Sequence, residues 1–245
     1  MNSNKELVIG TTVPPFKAVD NEDVQWLEGA EQIAQHAFGI GFSKVTFFVA
    51  IELDARGPGL FTPLIHLMNE LEKAVSGVEC VQWKFAIDDG ADVIGASNRL
   101  VRICTGRNLI HEYAMRSDNV THILFVDSDL IIPTDSVPKL LEMNYPIAGG
   151  DVPSYCLGGP VREEYSFPVQ EHWNTAGFLL VSRDVFRKVR WRHDIYDQGA
   201  TDDPCFALDV VEAGFGPTHV RKDLIGIHKP LKPLEGRGHD LAIHR

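Results

Sequence analysis

Two aspartates separated by one serine directly follow a short apolar run, and they are the strongest chemical signal in the sequence. The run is HILFV at 122–126, and the acidic group is Asp127, Ser128 and Asp129. Two carboxylates at this spacing can converge on a hard divalent cation such as Mg²⁺ or Mn²⁺, which fills its remaining positions with water and phosphate oxygens. Such a cation would neutralise charge on a leaving diphosphate. The alternative interpretation is a polar turn, since Asp and Ser are common turn residues.

A second acidic pair, Asp202 and Asp203, stands directly before Pro204 and a stretch with helical spacing. A carboxylate at this place can accept a proton from a bound hydroxyl group. Acidic residues are also favoured at a helix amino terminus as caps and by the helix dipole. The sequence leaves both interpretations open.

Three other features carry candidate binding residues. Arg107 offers a guanidinium, which suits phosphate recognition, although a surface helix residue explains it equally well. Trp173 precedes Asn174 and has a ring that could stack on a sugar face or fill the core. Residues 229–245 form a cationic stretch that could contact an anionic donor or a nucleic acid, or remain solvated. Its basic and histidine side chains are Lys229, Lys232, Arg237, His239, His244 and Arg245.

These residues lie on a chain in which apolar runs alternate with helical patterns. We predict strands at 45–51, 79–87, 122–126, 145–150 and 176–181. We predict helices from Pro63 to Gly77, at about 93–117, near 135–143, at 183–189 and from Asp202 to Gly214. The first half is therefore β-α-β-α-β, which implies an α/β fold with a parallel sheet and helices on its faces. Open α/β sheets bind ligands at the carboxyl ends of their strands, which is where Asp127 stands.

Composition limits the class of protein. The chain has 245 residues, 44% hydrophobic and 23% charged, which suits a globular domain and excludes a disordered tail, a collagen-like fibre and a coiled-coil rod. The 23 Lys and Arg against 34 Asp and Glu give a net charge of −11, the wrong sign for a general nucleic-acid coat protein. The 4 cysteines contain no CxxC pair, so we expect reduced thiols rather than a disulfide framework or a zinc site.

No part of the sequence predicts secretion or membrane insertion. The amino terminus lacks a long apolar core behind a basic start. No apolar run approaches the roughly 20 residues that a membrane span requires. We therefore expect a soluble protein without a membrane partner, located in the cytoplasm, or in the host cytoplasm if a virus encodes it.

The stretch TGRNLIHEYAMRSDNVTHILFVDSDLIIPTDSVPKLL resembles the centre of a glycosyltransferase of the GT-A fold. Its Arg-Asn pair is similar to a segment of small viral and fungal mannosyltransferase-like members. NTAGFLLVSRDVF, TDDPCFALDVVEAGFGP and IGIHKP follow in the family's order, so the resemblance spans roughly residues 45–230. It implies a single GT-A domain, Rossmann-like, with a mostly parallel sheet flanked by helices. Within it, 45–150 would be the nucleotide-sugar-binding half, 151–230 the acceptor half and 231–245 a tail.

The resemblance also implies roles for individual residues. Asp127 and Asp129 match the family's DxD motif, with Ser128 between them at the donor site. His228 matches a late histidine that often completes the metal site, so these residues would hold Mn²⁺ or Mg²⁺. Asp203 matches the catalytic base of inverting members, although the family usually has Glu-Asp where this chain has Asp-Asp. The remaining donor or acceptor contacts implied are Glu52 and Asp88 for the nucleoside, Arg107 and Lys229 for the diphosphate, and Trp173 and Asn174 for the sugar or acceptor.

The function that follows is metal-dependent transfer of a sugar from a UDP- or GDP-sugar donor to an acceptor hydroxyl. The sequence decides neither the acceptor, for which a modified nucleobase of phage DNA is one hypothesis, nor the stereochemistry. A phosphatase of the haloacid-dehalogenase kind is an alternative, but that family has Thr or Val four places after its nucleophile, where Ile131 stands here. A nucleotidyltransferase and a non-catalytic nucleotide-sugar binding module are further alternatives.

Overall fold

The computed structural model describes residues 4–13, 29–52, 69, 73, 81–88, 99–152, 177–192 and 202–228. A seven-stranded sheet contains β1 (Glu6–Val13), β2 (Lys44–Glu52), β3 (Val81–Asp88), β4 (Val120–Val126), β6 (Ile147–Asp151), β7 (Phe178–Ser182) and β8 (His219–Ile225). A two-stranded sheet contains β5 (Leu130–Ile131) and β9 (Ile227–His228). The helices are α1 (Ala30–Gly39), α2 (Arg99–Met115), α3 (Ser136–Glu142), α4 (Arg183–Phe186) and α5 (Asp202–Glu212).

The large sheet is mixed but mostly parallel. Its strand order is β3-β2-β1-β4-β7-β6-β8. The strands β1 to β4 are parallel to one another, β7 is antiparallel to both of its neighbours, and β6 is parallel to β8. The carboxyl ends of β1 to β4 therefore lie along one edge, and β7 begins at that same edge.

Helices cover both faces of the sheet, and side chains alternate between two cores. In β1, Leu7 and Ile9 join the core under α1 and α3. Val8, between them, joins the core under α2, α4 and α5. Because both faces are buried, the central strands appear in the sequence as continuous apolar runs rather than as alternating patterns. The α/β fold predicted from the sequence is confirmed.

Besides α1, β5, β8 and β9, the sequence analysis missed the strand β1. It lies between β2 and β4, at the centre of the site-forming half of the sheet. The predicted β-α-β-α-β pattern began only at residue 45, so Glu52 and Asp88 end the second and third strands rather than the first two. A glycine and two threonines, Gly10, Thr11 and Thr12, make the second half of β1 look like a polar connection. Gly10 is instead needed because an added Cβ would collide with the Ile110 side chain of α2.

The other predicted elements are found where the structure describes them. The five predicted strands correspond to β2, β3, β4, β6 and β7, and the predicted helices after residue 93 correspond to α2, α3, α4 and α5. The helix predicted from Pro63 to Gly77 is described only at Asn69 and Lys73, and both are helical. The helix α4 is shorter than predicted and ends at Phe186. No helix in the described ranges is long and apolar enough to cross a membrane.

Candidate functional site

The Asp127-Ser128-Asp129 group forms a tight turn at the carboxyl end of β4. The backbone N–H of Asp127 donates to the carbonyl of Gly177 at 2.9 Å, and the N–H of Leu130 donates to the carbonyl of Asp127 at 3.2 Å. Ser128 is buried, whereas the side chain of Asp127 is 36% exposed and Asp129 is partly exposed. The group is thus a turn, as the alternative interpretation held, and it also presents carboxylates at the edge where such sheets bind ligands.

Gly177 lies directly against the Asp127 carboxylate. A Cβ at position 177 would lie 2.6 Å from Oδ2 of Asp127 and 3.2 Å from a side-chain carbon of Leu130. The first strand pair across this edge, Val126 with Phe178, fixes the approach of the two segments. A Cβ at position 177 would therefore force the Asp127 carboxylate to shift.

Arg107 of α2 joins the two acidic groups that the sequence singled out. One of its terminal nitrogens donates to Oδ1 of Asp203 at 2.8 Å and the other donates to Oδ1 of Asp127 at 3.1 Å. The Arg107 side chain is 5% exposed and that of Asp203 is 17% exposed. A buried guanidinium needs such partners, because an unpaired charge is costly to remove from water. Three residues that are far apart in the sequence therefore meet at this edge.

Trp191 supports this ion-pair cluster from behind. The Arg107 guanidinium lies over the Trp191 ring at 4.7 Å, and the ring stacks on Phe206 of α5 at 3.8 Å between centroids. Asn108 fixes the Trp191 backbone, since its side-chain nitrogen donates to the Trp191 carbonyl at 2.9 Å and its side-chain oxygen accepts from the Trp191 N–H at 3.1 Å. The Arg-Asn pair of α2 thus contacts both the acids and the aromatic stack.

The helix α5 carries Asp203 in its first turn. Asp202, Asp203 and Pro204 open the helix, where acidic side chains suit the positive end of the dipole and proline loses no intrahelical hydrogen bond. The ion pair with Arg107 adds a contact that capping does not require. The side chain of Asp202 lies outside the described part of the structure.

The backbone places His228 beside the acidic turn. In the small sheet, Leu130 pairs with His228 and Ile131 pairs with Ile227 in antiparallel register. Paired residues of an antiparallel ladder have Cα atoms about 4.5–5.5 Å apart, so His228 is a close backbone neighbour of the residue that follows Asp129. The His228 side chain lies outside the described part of the structure.

Carboxylate and imidazole groups are the donor set that Mn²⁺ accepts, so Asp127, Asp129 and His228 fit a site for this ion by chemistry and backbone placement. Among the described side chains, no group of three or more His, Cys, Asp or Glu could hold a metal ion. The His228 side chain does not belong to this described set.

The other predicted site residues are placed only in part. Glu52 and Asp88 are paired in register at the ends of the adjacent strands β2 and β3, on the same edge as Asp127. Trp173, Asn174 and Lys229 lie outside the described residues. The sequence analysis missed Gly177 and Trp191. A glycine immediately before a strand signals close backbone approach, which is a sign that could have identified Gly177.

The sequence matches no protein-family model, and no curated protein matches it significantly. Glucosyl-3-phosphoglycerate synthase from Mycobacterium tuberculosis, solved in complex with Mn²⁺, uridine diphosphate and phosphoglyceric acid, matches with a TM-score of 0.50 at 8% identity. That match covers 93% of this chain and 72% of the synthase chain. A mycobacterial protein matches with a TM-score of 0.52 at 12% identity, covering 95% of this chain and 70% of that chain.

These likenesses establish the fold. The chain has a Rossmann-like GT-A fold in one domain, the fold of nucleotide-sugar glycosyltransferases among its structural neighbours. The division into 45–150, 151–230 and 231–245 remains a prediction, and β1 would have to be added to its first part.

Proposed function

We propose that this chain is a metal-dependent glycosyltransferase that moves a sugar from a nucleotide-sugar donor to an acceptor hydroxyl. One observation carries the proposal: Arg107 bridges Asp127 and Asp203 at the ligand-binding edge of a GT-A sheet. Sugar transfer needs a group that stabilises the negative charge of the leaving diphosphate. An inverting enzyme also needs a carboxylate that takes the proton of the acceptor hydroxyl. The carboxylates of Asp127 and Asp203 at this edge support the proposal.

Asp127, Asp129 and His228 are the residues we assign to Mn²⁺ or Mg²⁺. When bound, the metal would neutralise charge on the diphosphate of a UDP- or GDP-sugar. Ser128 lies between the two acids, and Glu52 and Asp88, paired at the ends of β2 and β3, are assigned to the nucleoside. Lys229, Trp173 and Asn174 remain predicted donor or acceptor contacts.

Asp203 has a role that depends on stereochemistry. In an inverting reaction it accepts the acceptor hydroxyl proton while the sugar is transferred. A retaining reaction requires no such base. The Asp203 side chain is 17% exposed, and its Oδ1 accepts a hydrogen bond from Arg107. Asp202 is the second candidate for the same role.

The proposal is tested by thermal shift with UDP, GDP, CDP and dTDP, each with Mn²⁺, Mg²⁺ or EDTA. A nucleotide at 100 times its Kd adds about 2.7 kcal/mol of stability. Each kcal/mol raises Tm by about 2–4 °C at this chain length. We expect a shift with one nucleotide that requires metal and is lost in Asp129→Ala. Asp184→Ala, which changes an exposed aspartate of α4, is the matched control and should keep the shift.

Two further results separate the alternatives. Absence of any nucleotide shift in folded protein contradicts the proposal and makes phosphomonoester hydrolysis the next assay. Asp203→Asn separates an enzyme from a binding module: in an inverting transferase it abolishes transfer while nucleotide binding remains.

For the acceptor, transfer of labelled sugar to hydroxymethylated DNA tests the phage-DNA hypothesis, and transfer only to other acceptors contradicts it. A cytoplasmic location belongs to the same hypothesis.

A further inference from the structure

We propose that Arg107 is a positioning residue, which fixes Asp203 relative to Asp127 and does not itself contact the donor. The inference rests on the proposed function, because it concerns the same two carboxylates. It replaces the role that the resemblance implied for Arg107, which was recognition of the donor diphosphate.

The guanidinium of Arg107 is already occupied by protein groups. Its two terminal nitrogens donate to carboxylates of Asp203 and Asp127 at 2.8 and 3.1 Å. One of its faces lies over the Trp191 ring at 4.7 Å. With 5% of its side chain exposed, Arg107 offers little surface to an anionic ligand. A guanidinium that serves a diphosphate needs donors directed toward the ligand rather than toward protein acids.

The stack of Arg107, Trp191 and Phe206 holds α5 at two points. Phe206 follows Asp203 by three residues, so both side chains lie on one face of the helix. Phe206 stacks on Trp191 at 3.8 Å with an interplanar angle of 11°, while Asp203 binds Arg107, whose guanidinium also lies over the Trp191 ring. Asn108 fixes the Trp191 backbone through two hydrogen bonds. The neighbours Arg107 and Asn108 of α2 therefore set where α5 begins.

The helix that carries Arg107 is closely packed on the sheet. Position 106 of α2 lies so close to β1 that a Cβ there would be 2.7 Å from Cγ2 of Thr12. The helix that carries Arg107 is thus packed directly on the sheet that carries Asp127. From this closely packed position the guanidinium links the Asp127 and Asp203 carboxylates.

The test measures kcat, donor KM and donor Kd for Arg107→Lys and Arg107→Met. Lysine keeps the charge but lacks the two-pronged geometry. We expect kcat to fall at least 30-fold in both variants while donor Kd changes less than threefold. Arg192→Met is the matched control. Arg192 lies outside α5, pairs with Asp209 of α5 at 2.7 Å, and has a side chain that is 48% exposed. This variant should change each constant less than twofold.

Two kinetic outcomes would overturn the inference. A donor Kd raised tenfold or more with little change in kcat would make Arg107 a donor contact. A lowered Tm with kcat per folded molecule unchanged would leave it a purely structural residue.

A double-mutant cycle gives a readout that needs no activity. We expect Arg107→Met and Asp203→Asn to lower Tm non-additively, with the double variant losing less than the sum of the single losses. Additive losses contradict the coupling. If the wild-type protein transfers no sugar, the proposed function fails while the cycle still reports whether the two residues are coupled.

Discussion

At the scale of single residues, the site depends on a contact between Gly177 and the Asp127 carboxylate. A side chain at 177 would require the carboxylate to move, because Oδ2 lies 2.6 Å from the Cβ position. Leu130, at 3.2 Å on another side, limits where the new methyl could go. The identity of residue 177 therefore controls where Asp127 can lie.

We predict that Gly177→Ala lowers kcat at least tenfold, because Asp127 is displaced from its place beside Arg107. Overpacking costs about 1–3 kcal/mol, so stability should fall modestly and the protein should still fold. Steady-state kinetics and urea unfolding measure the two effects. Gly39→Ala is the control, since nothing lies within 4 Å of its Cβ position at the end of α1. Equal kcat in both variants would contradict the prediction.

At the scale of elements, α2 is the helix that connects the sheet to the site. It rests on β1 and β2 through Gly106, whose Cβ position is 2.7 Å from Cγ2 of Thr12 and 3.4 Å from Cβ of Ala50. This close approach brings the next residue, Arg107, to the ends of the strands. The packing of one helix face therefore sets the position of the ion-pair cluster.

We predict that Gly106→Ala lowers the free energy of unfolding. Overpacking costs about 1–3 kcal/mol, and the higher helix propensity of alanine offsets about 1 kcal/mol of that loss. Thr12→Ser removes the methyl that collides, so the Gly106→Ala/Thr12→Ser double variant should recover the loss. Urea unfolding of the two single variants and the double variant measures this. Failure of the serine to rescue would show that another contact causes the loss.

At the scale of the whole molecule, the buried His111 and the half-buried His122 link folding to pH. Burial, and then the positive charge of Arg190, lower the pKa of His111 to about 4. Burial, and then Lys5, lower the pKa of His122 to about 4. In the unfolded chain a histidine titrates near 6.5. Between these values the unfolded state binds more protons than the folded state, so stability falls as pH falls.

We predict that the free energy of unfolding is retained well above pH 6.5 and decreases as pH falls through 6.5 toward 4. Between pH 6.5 and 5 each histidine contributes a loss of about 1.5 kcal/mol. Urea unfolding at several pH values measures the slope. The variant His111→Gln should flatten the curve, whereas His36→Gln, which changes an exposed histidine of α1, should leave it unchanged. A wild-type curve without slope in this range would contradict the prediction.

The local features of this protein are set by the order of its residues. Buried strands such as β2 and β4 are continuous apolar runs, and α5 begins at an acidic pair with proline, so local chemistry was sufficient to predict them. The strand β1 was missed because its glycine and threonines are explained only by the helix that packs on it. A sequence pattern reflects only neighbouring residues, whereas the glycine at position 10 is required by contact with Ile110, which lies far away in sequence.

The sequence alone determined the α/β class, the acidic turn after β4 and the acidic start of α5. Only the tertiary structure decided that Arg107 joins these two groups, that Trp191 and Asn108 support it, and that His228 pairs beside the turn. The physical reason is that hydrogen bonds, ion pairs and ring stacking act over a few ångströms of space. Residues 107, 127, 191 and 203 come within that range only when the sheet and its helices have packed.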